Sequence, residues 1–193
     1  ARMLKLGIIS KDVPLSPRNP KVPAWPDAEA PTWQQPRMEV YAAQIDRMDQ
    51  GIGRIVAELK RQGELDNTLI FFLQDNGGCA EHYGRHTQNR YATNLKPMGP
   101  DDLQRKIWPA MQTRDGRPLK SGPGVMAGPE DTFVGYGRGW ANVSNTPFRE
   151  YKHFAHEGGI STPLIVHWPN GIASKSELRS TAAHVIDIAP TVL

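Results

Sequence analysis

The residues best equipped for chemistry stand where an apolar run stops. Thr68 to Gly84 reads TLIFFLQDNGGCAEHYG, so Leu69–Leu73 passes through Gln74 into Asp75, Asn76, Gly77 and Gly78. An aspartate and an asparagine side by side offer two hard oxygens, the donor type that Ca²⁺ and Mg²⁺ take. Glycines after them let backbone approach closely. Asn-Gly is also the strongest short hairpin signal, so a plain turn competes with a site. Cys79-Ala80-Glu81-His82-Tyr83-Gly84 does not alternate as a return strand would, which disfavours the hairpin. In open parallel sheets ligands gather at the carboxyl ends of strands. Two ligands are too few for a cation, and others must come from elsewhere.

A second cluster holds Lys152, His153, His156 and Glu157 ahead of Gly158-Gly159. As zinc chemistry, HFAHE has the wrong order and spacing for H-E-x-x-H, and polar loop residues are the better reading. A lysine ammonium near an oxyanion site can neutralise a sulfate or phosphate oxygen; alone, a lysine is most often a solvated surface charge. Other matches carry less. GYGRGW lacks G-x-G-x-x-G spacing, Asn142-Val143-Ser144 fits a glycosylation acceptor as many tripeptides do, and no G-x-S-x-G elbow is present. Cys79 reads as a small residue packed beside the strand end rather than a nucleophile.

The elements that must position these residues follow from periodicity. Prolines at 14, 17, 20, 23, 26, 31 and 36 predict an extended loop over residues 10–36, packed by Trp25 and Trp33. A helix is predicted from Arg37 to Gln62, with Tyr41, Ile45, Met48, Ile52, Ile55, Val56 and Leu59 on one face and Gly63 as its stop. Asp66-Asn67 turns into Leu69–Gln74, apolar on both faces as a central α/β strand is, so helix, turn and strand read as half of a βαβ unit. Residues 81–140 carry little periodicity and many breakers, and predict a long irregular excursion. Leu164–Trp168 is a second short strand candidate, and Thr181 to Asp187 approaches a last helix. ARMLKLGII reads as the end of a helix closed by Gly7, and VIDIAPTVL stops where Pro190 would open a new one, so both ends read as cuts.

With 193 residues the chain has the size of one ordinary domain with a core of its own. Basic residues exceed acidic ones by three but are scattered, without the stripe of a nucleic-acid binder. No stretch nears the roughly 20 apolar residues of a membrane span. The single cysteine excludes an internal disulfide and a multi-cysteine metal site.

With both clusters in view, the chain resembles a formylglycine-dependent sulfatase of the arylsulfatase type, in the alkaline-phosphatase-like superfamily. YAAQIDRMDQGIGRIVAELKRQGELDNTLIFFLQDNGG is similar to that family's helix and metal-bearing strand, and GRGWANVSNTPFREYKHFAHEGGISTPLIVHWPNGI to its second half-site. The resemblance implies an α/β fold, a mixed sheet flanked by helices, incomplete in this chain. It implies that residues 1–193 are part of a catalytic domain. It assigns Asp75 and Asn76 as ligands of one divalent cation, Ca²⁺ or alternatively Mg²⁺, and Lys152 as the residue that contacts the sulfate group. On that reading the glycines clear space around the cation.

The family's upstream motifs do not occur here: an aspartate pair for the same metal, a C-x-P-S-R segment whose cysteine becomes formylglycine, and a lysine and histidines around the sulfate. The implied reaction is nucleophilic hydrolysis of a small-molecule or carbohydrate sulfate ester. His82, Arg85 and His86 are candidates for the pocket rim. A periplasmic or secreted location is the family's common one. Two readings compete: a phosphodiesterase or phosphonate monoester hydrolase of the same superfamily, and a non-catalytic homologue that binds sulfate or a cation without turnover.

Overall fold

The computed structural model describes residues 2–81, 95–103, 112–122 and 124–193. Its regular elements, in chain order, are α1 (Arg2–Lys5), α2 (Pro31–Gln62), β1 (Ile70–Leu73), α3 (Gly137–Ser144), α4 (Glu157–Ile160), β2 (Leu164–His167) and α5 (Ile188–Val192). Short 3-10 turns stand at Trp25–Asp27, Leu65–Asn67 and Val185–Asp187. No helix among the described residues is long and apolar enough to cross a membrane.

The long helix stops where its glycine predicts. Gly63 takes φ 77°, and its N–H reaches the carbonyls of Leu59 and Lys60. Its start differs from the expectation, because the proline-rich loop gives way to helix at Pro31 and Pro36 lies inside α2. Pro31 at the first helical position forfeits nothing, whereas Pro36 gives up a backbone hydrogen bond. Tertiary contacts offset that loss. Trp33 Nε1 donates to the Val125 carbonyl at 2.8 Å, and the Arg37 guanidinium lies 4.3 Å from the centre of the Trp33 ring. Arg37 also donates to Gln34 Oε1 at 3.1 Å and to the Gly135 carbonyl.

The apolar stripe of α2 is not covered as its pattern predicts: Ile45, Met48 and Ile55 are exposed, and only Gln34 and Arg37 of this helix are buried. Burial concentrates instead at Gly137 and Ala141 of α3, at Tyr151, and at Gly158 and Gly159 of α4. A domain core needs two packed layers, and the described elements leave that stripe without its second one.

β1 and β2 pair antiparallel, with Ile70 opposite His167 and Leu73 opposite Leu164. The half-βαβ reading predicts a parallel neighbour for β1; the neighbour found is antiparallel, which a mixed sheet accommodates. β1 is half-buried and β2 exposed. The architecture is that of an incomplete α/β fragment, with helices and, among the described residues, one two-stranded antiparallel sheet.

Contacts between distant segments fix the rest. Tyr41 of α2 stacks on Tyr136, centroids 4.6 Å apart, and Trp25 packs 5.3 Å from Trp140, whose Nε1 donates to the Gln34 carbonyl at 2.9 Å. The proline-rich loop is tied to the turn after α3: Ser16 Oγ donates to the Pro147 carbonyl at 2.8 Å, and Asn19 Nδ2 to Glu150 Oε2 at 3.2 Å. Within the excursion, the described residues form isolated bridges between Gln112 and Pro118 and between Lys120 and Thr132. Among the described residues regular structure returns at Gly137, ahead of the predicted end of the excursion, where Trp140 is anchored on α2. Asn142 lies inside α3, with its Oδ1 3.4 Å from the Tyr151 hydroxyl, a poor setting for a glycosylation acceptor. At the two ends, α1 runs out through Gly7 at φ 70° as expected, and α5 opens at Ile188, with Pro190 inside its first turn, where a missing N–H costs little.

Candidate functional site

Beyond Leu73 and Leu164 the two strands stop pairing, but the chains that carry them stay together. Thr162 Oγ1 donates to the Gln74 carbonyl at 2.8 Å, the Gly77 N–H to the Gly159 carbonyl at 3.0 Å, and the Lys152 N–H to the Gly78 carbonyl at 3.2 Å. The two clusters singled out in the sequence are therefore brought to one place, at the carboxyl end of β1.

The glycines make that joint possible. A Cβ on Gly77 would sit 1.7 Å from the Gly158 carbonyl oxygen, and one on Gly158 would sit 2.2 Å from the Glu150 carbonyl oxygen. One on Gly78 would meet the Tyr136 hydroxyl at 2.5 Å. The expectation that Gly77 and Gly78 clear space for a cation is thus corrected: the space is filled by the backbone of the facing loop and by Tyr136. Burial raises the Tyr136 phenol above its usual pKa, so it stays a neutral hydroxyl.

A methyl group at Gly77 should accordingly force the two loops apart. Gly77→Ala in the complete protein is expected to lose about 1–3 kcal/mol, the usual range for overpacking. Gly53→Ala, in α2 with nothing within 4 Å of the added carbon, should instead gain up to about 1 kcal/mol. Paired thermal melts check this, and an unchanged Tm for Gly77→Ala would contradict the tight joint.

Asn145 is the residue that sequence reasoning missed here. It follows α3, accepts the Gly78 N–H on Oδ1 at 3.0 Å, and donates through Nδ2 to the Glu150 carbonyl at 2.9 Å. One amide side chain thereby satisfies backbone groups in both clusters. Asn in front of Thr146-Pro147 was the available signal, but it announces only a helix end.

Asp75 is exposed and Asn76 half-buried, and among the described residues no protein group hydrogen-bonds to either side chain. Both oxygens therefore stand at the strand end uncommitted to the described fold. The Lys152 ammonium lies 3.2 Å from Glu81 Oε2, and His153 Nε2 lies 2.8 Å from Glu81 Oε1. Cys79 Sγ donates to Glu81 Oε2 at 2.9 Å. Burial first, then that carboxylate, raises the Cys79 thiol above its ordinary pKa, which keeps it protonated and argues against a nucleophile.

His153 and His156 do not converge on a metal. His153 faces Glu81, whereas His156 precedes α4 and packs edge-on against Phe154, centroids 6.3 Å apart. Among the described residues no three His, Cys, Asp or Glu side chains form a group that could hold an ion. His82, Arg85 and His86 lie outside the described residues.

Comparison with known proteins gives a consistent answer. A sequence profile described as sulfatase matches residues 15–193. The arylsulfatase of Klebsiella aerogenes is 32% identical over 198 residues, covering 100% of this chain and 36% of that protein. An uncharacterized sulfatase of Schizosaccharomyces pombe is 31% identical over 158 residues, 81% of this chain and 24% of its own length. The steryl-sulfatase of Mus musculus is 23% identical over 152 residues, 79% of this chain and 16% of its own. The chain spans about a third or less of each of these relatives.

Proposed function

The chain belongs to the sulfatase family, and from that premise we propose that the protein containing it hydrolyses a sulfate ester, with this chain forming the latter part of the catalytic domain. The observation that carries the reading is the Lys152 N–H to Gly78 carbonyl bond, which sets the lysine against the glycines that follow Asp75 and Asn76.

In this reading Asp75 and Asn76 are two ligands of a divalent cation, Ca²⁺ first and Mg²⁺ second. An exposed carboxylate beside an amide, neither engaged by the described protein groups, fits a hard oxygen-seeking ion. Such a cation supplies charge that polarises sulfate oxygens. The formylglycine nucleophile of the family would come from residues preceding this chain. Within the chain, Lys152 binds a sulfate oxygen and holds positive charge against it during transfer. The backbone joint at Gly77 and Gly159 keeps the lysine and the cation ligands at a fixed separation, the positioning that lets both act on one anion.

An aryl sulfate is the first substrate to try, following the name of the arylsulfatase relative, with carbohydrate sulfates next. A periplasmic or secreted location accompanies the proposal. The test is turnover by the complete protein with Ca²⁺, on p-nitrophenyl sulfate and on bis-p-nitrophenyl phosphate in parallel. Faster release from the sulfate is expected. Preference for the diester would favour the phosphodiesterase reading, and cation binding without either turnover would favour a non-catalytic homologue.

A further inference from the structure

We propose that Glu81 is a positioning residue for Lys152, an assignment that rests on the proposed contact between Lys152 and the sulfate group. Lysine carries its charge on a flexible four-carbon stem, so an ammonium that must meet one oxygen of an anion needs something to hold it. Glu81 is built to do so. Its Oε2 lies 3.2 Å from Lys152 Nζ, and its Oε1 lies 2.8 Å from His153 Nε2, so one carboxylate takes both neighbouring side chains. Cys79 Sγ donates to Oε2 at 2.9 Å, which ties the same carboxylate to the segment that leaves β1.

The backbone is arranged for this contact. His153 takes φ 77° and Glu150 φ 65°, left-handed conformations that few non-glycine residues adopt. They turn the chain so that Lys152 N–H reaches the Gly78 carbonyl while the two side chains reach Glu81. Lys152 and Glu81 are both about three-quarters covered, with 30% and 25% of their side chains exposed. At that depth the pair is shielded from much of the screening that makes a surface ion pair weak. Glu81 therefore links the two halves of the site through side chains, as the glycines link them through backbone.

The test uses the complete protein and four forms: wild type, Glu81→Ala, Lys152→Ala and the double variant. Two readouts are taken, kcat/KM on p-nitrophenyl sulfate and affinity for inorganic sulfate by calorimetry. Glu81→Ala is expected to lower kcat/KM about 10- to 100-fold, the range for partners that orient a functional group. It should add little to the loss in the Lys152→Ala background, since a positioning residue has nothing left to position there. Glu81→Gln keeps an acceptor oxygen and should recover much of the rate, which a folding defect would not allow.

A loss of the same size with and without Lys152, or a wild-type rate and sulfate affinity in Glu81→Ala, would overturn the proposal. So would a gain in sulfate affinity, which would mean that Glu81 competes with the anion for the ammonium. Failure of the underlying reading looks different: Lys152→Ala, with Glu81 intact, would then keep wild-type rate and sulfate affinity.

Discussion

Asp75→Ala in the complete protein is expected to abolish nearly all turnover and to deplete the proposed cation. Of the two proposed ligands in this chain, Asp75 is the one with full negative charge, and it is exposed at the end of β1 with no described protein partner to share it. Replacing it removes charge as well as an oxygen, and affinity for hard divalent ions depends strongly on the number of charged ligands. Asn76→Ala removes only a neutral amide oxygen, so its loss should be smaller and recoverable at high Ca²⁺. Metal content measured on the purified variants, together with turnover at increasing Ca²⁺, separates the two. Normal turnover with normal metal content in Asp75→Ala would remove Asp75 from the metal site. Folding does not confound the result, because Asp75 makes no side-chain hydrogen bond within the described fold and its loss leaves the Gly77 to Gly159 joint untouched.

That joint also marks how far the sequence could be read. The body of α2, its stop at Gly63 and the two strands follow from periodicity, a left-handed glycine and short apolar runs, all local signals. The meeting of Asp75-Asn76 with Lys152 was legible only through family resemblance, since nothing local in either segment names the other. The purpose of Gly77 and Gly78 was legible only in part for the same reason: close backbone approach was expected, its partner was not. A glycine announces that something comes close, but whether an ion or a carbonyl oxygen such as that of Gly158 is set by a distant loop. The start of α2 was hidden likewise: Pro36 argues against helix until Val125 and Gly135 supply partners for Trp33 and Arg37. Asn145 and Glu81 join the two clusters through contacts with Gly78, Lys152 and His153 that are distant in sequence, and polar residues of their type are common on any surface.

Lys152→Ala should lower kcat/KM on an aryl sulfate by about 10²-fold or more, by analogy with the loss of one donor to developing negative charge. The ammonium is a single compact charge, and its removal takes a donor from the transferring oxygens and a partner 3.2 Å away from Glu81 Oε2. That loss works against an anionic substrate, because one donor to its oxygens is gone. Lys152→Met, which keeps most of the stem and drops the charge, should fall nearly as far, because the stem alone supplies no electrostatic stabilisation. Lys152→Arg should recover little, since a planar guanidinium needs a different approach to both Glu81 and a tetrahedral anion. A wild-type rate in Lys152→Ala would reduce Lys152 to a structural partner of Glu81 and leave the cation ligands as the chain's contribution to the reaction.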